Sequence, residues 1–399
     1  MLTFALSSLS ATIIFPILAP LFLGSSEGIL RAEIPENIRS ILFGVFLAAF
    51  PLAQFIFSPL IGEYSDRTGR KKVFILTLIL EFIGYFLSGI GIHYRHLSLL
   101  FIGRFITGLG AANFSVCLAA LADISYDEKS KARYFSYGSA IAGVMFVLGP
   151  FVGGRLSDPA LSPIFNFAFP LWIGTALSFL NLLLIVFVFK NSLSRAGKTF
   201  IDPIKALHNV EGAFQNIPIQ SLYIIFFFFL FAWNMLYQFL PALLVEEFGA
   251  KSSLIGDLTA LMGIVWFAGT MTISFLMRHS NHQKIILLFS SLLFGLFVIL
   301  IPIPNNLYHF VLIASSAVFF AGGIWPVLMG TISRAANKTD QGKTLGISQS
   351  IQSLAMLLAP FFGGFFFQAN SQIPFIFASS SMAVAFFFLV KIKGDTFKV

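Results

Sequence analysis

Cysteine, histidine and charge are all scarce in this chain. One cysteine, Cys117, stands among 399 residues, so no intramolecular disulfide forms, and a lone thiol on an apolar stretch reads as a small core residue. With six histidines and that single cysteine, no metal-ligating cluster is spelled out. Neither H-E-x-x-H nor G-x-S-x-G occurs, which leaves an intramembrane enzyme without its usual residues. Asn337 to Thr344, NKTDQGKT, imitates a phosphate loop, but Asn337 stands where the first glycine belongs and an apolar run precedes it instead of a strand. ATP-driven action is unsupported. Asn337-Lys-Thr also matches a glycosylation triplet and is discounted because it falls on the side assigned below to the cytoplasm. Only 11% of the residues are charged, too few to cover a soluble globule of this length.

What is present in excess is apolar: 57% hydrophobic residues and 51 Phe, with a mean hydropathy of +0.88. A bilayer core of roughly 30 Å takes about 20 apolar residues per helix. Twelve such runs occur, at 2–23, 40–61, 73–92, 97–119, 133–154, 166–189, 219–244, 254–277, 284–303, 307–332, 343–367 and 373–391. Lipid is therefore the expected solvent, short polar turns join most spans, and no soluble domain fits. The first run lacks a basic leader and a small-residue cleavage site, so it reads as span 1 and not as a secretory signal.

The net charge of +8 does not call for nucleic acid. With the N-terminus in the cytoplasm, the loops on that side carry most of the basic residues, among them Arg70, Lys71, Lys72, Lys129, Lys131, Arg133, Arg278, Lys284 and Arg334. The opposite loops carry Arg31, Arg39, Arg95, Arg155 and Lys251, and Arg104 falls inside the membrane. The positive-inside rule then sets both termini in the cytoplasm and explains the excess charge without a partner. The expected location is the cytoplasmic (inner) membrane, and the expected state a monomer.

Span 5 and its entry, Ile124 to Gly154, match span 11 and its entry, Ile332 to Gly364. Each follows a basic loop and ends in a small residue, then Pro-Phe-x-Gly-Gly. The charged turn after span 2, GEYSDRTGRKK, has a worn counterpart at a similar offset in SFLMRHSNHQK, Ser274 to Lys284. Shared Gly and Pro between two unrelated helices is the plainer alternative; agreement of two separate features on the offset favours duplication. The expected domains are a six-helix bundle at 1–189, a cytoplasmic linker at 190–218 with a surface helix capped by Asp202 before Pro203, and a second bundle at 219–399. The fold class that follows is an all-α membrane protein with twelve transmembrane helices in two pseudo-two-fold-related bundles, substrate binding between them near the midplane.

The turn from Gly62 to Lys72 gathers six charged residues into a charge-poor chain. Positive-inside loops explain Arg70, Lys71 and Lys72 but not Asp66, nor glycines at 62 and 69. Gly62 would allow another backbone to approach, and Asp66 would cap span 3 and pair with a following Arg, making a clasp between the halves. These residues, G-E-Y-S-D-R-T-G-R-K, resemble motif A of the major facilitator superfamily, G-x-x-x-D-R-x-G-R-[RK]. The resemblance implies a cytoplasmic gate made by Gly62, Asp66, Arg67, Gly69 and Arg70, joined by Asp123 from the loop after span 4. LFIGRFITGLGAA, Leu100 to Ala112, is similar to the family's span-4 motif with a buried Arg, here Arg104. GVMFVLGPFVGG is similar to its span-5 "antiporter" motif, through Gly143, Gly149, Pro150, Gly153 and Gly154. Together with LADISYDEKSKARYF these point to the twelve-helix drug:proton antiporter branch, resembling the tetracycline-efflux group. The resemblance runs along the whole chain, more weakly over spans 7 to 10. Two of the family's acids are missing: span 1 reads SSLSATIIFP without a carboxylate, and span 11 offers only Gln349 and Gln352 near the gate.

Glu81 is the one carboxylate well inside a span, about 13 Å beyond Lys72 at 1.5 Å per residue. Arg104 lies about 10 Å in from the far side by the same rise. Ionisable groups at such depth are costly and face protein or water. Glu81 is therefore the expected proton-coupling residue, with Arg104 tuning it; a buried ion pair or a Glu at the lipid edge is the plainer alternative. Gln54, Asn113, Asn234, Gln238 and Gln352 are amides that would face a central cavity, walled by Trp233, Tyr237, Trp266 and Trp325. Interhelical hydrogen bonds and ordinary packing are the alternatives for each. An aromatic and amide cavity suits amphipathic organic molecules better than sugars or phosphates. The sequence thus predicts a secondary transporter working by alternating access, without cofactor or metal, most plainly a proton-coupled exporter. The competing reading is an importer or exporter of one metabolite such as a siderophore. A passive channel fits the repeat and the gate motif less well.

Overall fold

The computed structural model describes residues 1–24, 28–31, 33–111, 113–125, 127–189, 204–215, 217–280, 282–335, 341–392 and 397. Among these, every regular element is helical: α1 (Leu2–Ile13), α2 (Phe15–Leu23), α3 (Glu36–Thr68), α4 (Arg70–His93), α5 (Leu97–Gly110), α6 (Asn113–Asp123), α7 (Glu128–Leu156), α8 (Phe169–Phe187), α9 (Lys205–Gln215), α10 (Ile217–Phe248), α11 (Ser252–His279), α12 (Gln283–Leu300), α13 (Leu307–Ala335), α14 (Gln341–Ala369) and α15 (Ile373–Lys391). In the described residues, 11 helices are long and apolar enough to cross a membrane, α1 and α2 together making the first. The break between that pair falls at Ile14, just before Pro16, whose ring supplies no N–H to the helical ladder.

The remaining span, the fourth, departs from the continuous 97–119 helix read from the sequence. It comes as α5 and α6, with the Ala111 amide bonding back to Thr107 and Gly108. Gly108 and Gly110 weaken the helix at that point. α3 is longer than the predicted 40–61: its 33 residues extend about 50 Å, so its last turns carry Glu63, Asp66 and Arg67 past the apolar part. In the linker, α9 is present and Asn209 donates to Ser350 Oγ at 3.1 Å; the expected cap, Asp202 and Pro203, lies outside the described residues, as do Asn337 to Asp340.

The chain forms two compact units. Unit 1 comprises Met1–Ile34, Ala49–Lys205 and Ala250–Ala260; unit 2 comprises Pro35–Ala48, Ala206–Gly249 and Leu261–Val399. Within unit 1, α4 packs on α5 and α8, and α1 on α7 and α8. Within unit 2, α12 packs on α13 and α15, and α10 on α14 and α15. In span numbers these are 3 with 4 and 6, 1 with 5 and 6, then 9 with 10 and 12, 7 with 11 and 12. The second set is the first displaced by six spans, which is the packing a duplication leaves behind.

Finer contacts repeat as well. Lys71 donates to the carbonyl of Val186 at 2.8 Å near the end of span 6, and Lys284 to that of Val390 at 2.7 Å near the end of span 12. A lysine side chain there satisfies a terminal carbonyl and complements the helix dipole. The twin Pro-Phe-x-Gly-Gly segments also act alike. In unit 1, a Cβ on Gly154 would lie 2.9 Å from Gly256 Cα; in unit 2, a Cβ on Gly364 would lie 2.7 Å from Gly44 Cα. Each pair allows two helix backbones to touch, an approach closed to any larger residue.

Candidate functional site

The charged turn is built from the end of α3 and the start of α4. Gly69 sits between them at φ 95°, ψ 150°, a backbone region open essentially to glycine alone. That turn delivers Arg70 into a buried position, where three donors are used: Nε to Asp123 at 2.9 Å, Nη1 to Asp66 at 2.6 Å and Nη1 to Ser65 Oγ at 3.0 Å. The Arg70 side chain is 8% exposed, against 20% for Asp123 and 50% for Asp66. These are charge-assisted bonds at a half-dry site, the stronger kind. All four residues belong to unit 1.

Two expectations for this turn are corrected. Asp66 does not cap the next helix; it occupies the last turn of α3, and the N-cap of α4 is Gly69, without a side-chain cap. A cap must sit at the residue just before the first helical one, and the turn at Gly69 moves Asp66 three positions away from it. Gly62 allows no close approach, since a Cβ there would meet nothing within 4 Å. Arg67 is half-buried, and its Nε has no hydrogen-bond partner among the described residues.

The loop before α7 is closed by Asp127. Its carboxylate accepts from the Ser130 amide at 2.8 Å while the Ser130 hydroxyl accepts from the Asp127 amide at 3.2 Å, a reciprocal capping box. The Ser130 amide, and then its hydroxyl, hold the Asp127 carboxyl below its ordinary value. Along α7 the span-5 glycines divide. Gly149 packs on Thr12 and Gly153 on the Ile13 carbonyl, while Gly143 faces open space. Pro150 lies inside the helix, and its carbonyl touches the place where a Cβ on Gly256 would stand. Just beyond, Arg155 pairs with Asp257 and Ser253 donates to Asp158, two contacts within unit 1 that the sequence reading left out.

Glu81 lies on the inner side of α4, 6% exposed, with its Cγ against Gly110. Its carboxyl lies beside the Asn113 side chain. Oε2 has no hydrogen-bond partner among the described residues. Tyr85, one turn along, stands within electrostatic reach of both Glu81 and Arg104. Glu81 and Arg104 form no ion pair with each other: the Arg104 guanidinium lies over the Phe50 ring, 4.6 Å from its centroid. The direct pairing that depth suggested is not formed, and both residues stand near Tyr85.

The expected cavity amides also separate. Asn113 is 1% exposed, and its amide donates to Ser7 Oγ at 2.7 Å, so it serves as an interhelical bond and not as a cavity wall. Asn234 is buried and donates to Leu230 of its own helix at 2.8 Å. Gln54 is half-buried, with Oε1 lacking a partner among the described residues; Gln238 and Gln352 are half-buried. In unit 2 three of the four aromatics do meet. Trp233 and Trp266 have ring centroids 4.1 Å apart, and Tyr237 stacks on Trp233 at 5.7 Å. Trp325, 38% exposed, stands outside that stack. Asn181, wholly buried on α8, went unnoticed in the sequence, although a lone amide inside a Leu- and Phe-rich span is a usable signal.

Repeated bundles of apolar helices with a charged turn at one helix end give the architecture of a polytopic membrane protein, and the comparisons with known proteins make its class that of a transporter. The chain belongs to the Major Facilitator Superfamily, whose family model matches residues 1–217 and 222–396. It is 27% identical over 352 residues to multidrug resistance protein 2 of Bacillus subtilis (strain 168), covering 86% of this chain and 84% of that protein. It is 26% identical over 382 residues to the class E tetracycline resistance protein of Escherichia coli, covering 92% and 86%. Among solved structures, a D-xylose-proton symporter superposes with a TM-score of 0.78 at 14% identity, over 100% of this chain and 98% of that one, a likeness of fold.

Proposed function

We propose that this transporter exports an amphipathic organic molecule across the cytoplasmic membrane in exchange for protons, by alternating access, with Glu81 as the proton carrier. The observation that carries the reading is Glu81 itself: a carboxyl in mid-span, buried, with one oxygen unpartnered among the described residues and no cation paired to it. A group so placed is expensive to keep unless it works, and an acid that gains and loses a proton is the work an exchanger requires. The names of the relatives, multidrug and tetracycline resistance proteins, support export of an organic cargo. The Trp233, Tyr237 and Trp266 stack supplies an apolar, π-rich surface for it in unit 2. The Arg70 cluster acts as a latch that stabilises one of the transporter's two arrangements. The charge distribution of the loops favours a chain with both termini in the cytoplasm, and we take its working state to be a monomer.

A second reading keeps the mechanism but narrows the cargo to one metabolite, because span 1 lacks the acid expected of the drug exporters. Proteoliposomes with an imposed pH gradient separate the two. Ethidium, tetracycline, a fluoroquinolone and a hydroxamate siderophore are each added, and proton and cargo fluxes are recorded. Opposed fluxes with several amphipathic compounds support the proposal. Flux with the siderophore alone supports the second reading, and cargo movement without proton movement contradicts both.

A further inference from the structure

The Asn113 amide, which stands beside the Glu81 carboxyl, has partners of its own. Asn113 Nδ2 donates to Ser7 Oγ on α1 at 2.7 Å, and the same oxygen accepts from Asn181 Nδ2 on α8 at 3.1 Å. Asn181 Nδ2 also reaches the carbonyl of Thr3 at 3.1 Å. Four helices of unit 1, α4, α6, α1 and α8, are thus linked by one polar chain, and three of its four side chains belong to residues 6% exposed or less. It runs beside an apolar cluster drawn from the same four helices, including Phe4, Leu78, Val116 and Ile185. The chain is incomplete at both ends: Glu81 Oε2 and Asn181 Oδ1 are buried without hydrogen-bond partners among the described residues. A network left short of partners in low dielectric is costly, and it responds strongly to any change of donor and acceptor at one end.

Resting on the proposal that Glu81 carries the proton, we infer that Asn113, Ser7 and Asn181 form a relay that transmits the protonation state of Glu81 to α1 and α8. Asn113 is then a positioning residue. An ionised Glu81 accepts only, so Asn113 must turn an N–H toward it while its other N–H goes to Ser7. A protonated Glu81 carries an O–H, which the Asn113 Oδ1 accepts once the amide turns over. That rotation removes the N–H from Ser7 and leaves its hydroxyl to re-pair with Asn181, altering the fit of α1 against α8. No proton travels along the relay; the proton stays on the Glu81 carboxyl and only hydrogen-bond direction is passed on. The serine-rich segment of span 1, SSLS, thereby takes part in coupling without a carboxylate. Tyr85 on its own helix and Cys117 from α6 stand in electrostatic reach of Glu81, Arg104 from α5 reaches Tyr85, and the Met1 ammonium just before α1 reaches Cys117; α1 and α8 contain no ionisable side chain.

The test follows the proton alone, so it needs no cargo. The full chain is reconstituted in lipid and its protonated-carboxyl infrared band is titrated with pH, the Glu81 contribution being the part lost in Glu81→Gln. Ser7→Ala, Asn113→Ala and Asn181→Ala are expected to displace that midpoint by about half a pH unit or more, roughly threefold in proton affinity. Ser7→Thr, which keeps the hydroxyl, is expected to restore it. Loss of a hydroxyl from half-buried Ser7 keeps the test open even where Asn113→Ala does not fold. If Glu81→Gln removes no band, Glu81 does not titrate and the proposal beneath the relay fails. If Glu81→Gln removes the band but all three alanine variants leave its midpoint in place, the relay is wrong and the proton-carrier reading stands.

Discussion

Replacing Arg70 with methionine tests how firmly the charged turn is held. The substitution keeps most of the side-chain length but removes three hydrogen bonds, to Asp123, Asp66 and Ser65. Breaking a fully buried pair costs about 3–5 kcal/mol, because the abandoned charge stays out of water. Here Asp66 is half exposed and is promptly solvated, and the Asp123 side chain, at 20%, is solvated less readily. The expected cost is therefore about 2–3 kcal/mol, between the surface and buried limits, equivalent to a shift of about 30- to 150-fold in the local opening equilibrium. Hydrogen exchange by mass spectrometry on peptides covering the end of α3, the start of α4 and the end of α6 reads that opening directly. Arg70→Lys keeps the charge without the forked geometry and is expected to lie between wild type and Arg70→Met. Combining Arg70→Met with Asp123→Asn gives a double-mutant cycle, with an expected coupling of about 1.5 kcal/mol or more. A coupling below about 0.5 kcal/mol, or unchanged exchange in Arg70→Met, would refute the reasoning that this arginine fastens the two ends together.

Gly256→Ala and Gly44→Ala probe the duplicated backbone contacts; each added methyl meets backbone atoms of the facing helix, and a similar loss of about 1–3 kcal/mol is expected for both. Thermal unfolding in detergent reads it, and tolerance of one with collapse of the other contradicts their equivalence. The Asp127 cap gives a pH prediction. Its carboxyl titrates below its ordinary value, so the cap's stabilisation is full above the unfolded carboxyl value, about 3.9, and is lost as the pH falls through the folded one. Amides of the first turn of α7 should lose exchange protection over that acid range in wild type, and Asp127→Asn should keep the cap while abolishing its pH dependence.

The fold was legible because its signals are long. Twelve apolar runs, a loop charge bias and two copies of Pro-Phe-x-Gly-Gly are each spread over many residues, and no single side chain decides them. The split of span 4 was less visible: LFIGRFITGLGAA is apolar throughout, and hydropathy does not register the loss of helix stiffness at Gly108 and Gly110. At the site, the pairing of Asp66 with Arg70 was readable because an acid and a following arginine on either side of one tight turn stay close, and Asp123 came through the family motif. The partner of Glu81 was not readable. Depth alone made Arg104 the natural choice, but which helix face meets which depends on the packing of α4 against α5 and α6, and that packing brings Asn113 to the carboxyl and takes Arg104 to Phe50. Ser7 and Asn181 were invisible for the same reason, since a small polar residue in an apolar span gains meaning only from the residue it meets.

The most direct measurement compares gradient-driven accumulation with downhill exchange in Glu81→Gln proteoliposomes, using whichever of the four cargoes the wild-type chain moves. With Glu81 as the proton carrier, accumulation against the cargo gradient falls to background while exchange without a pH gradient continues. Undiminished proton-driven accumulation in that variant would contradict that role.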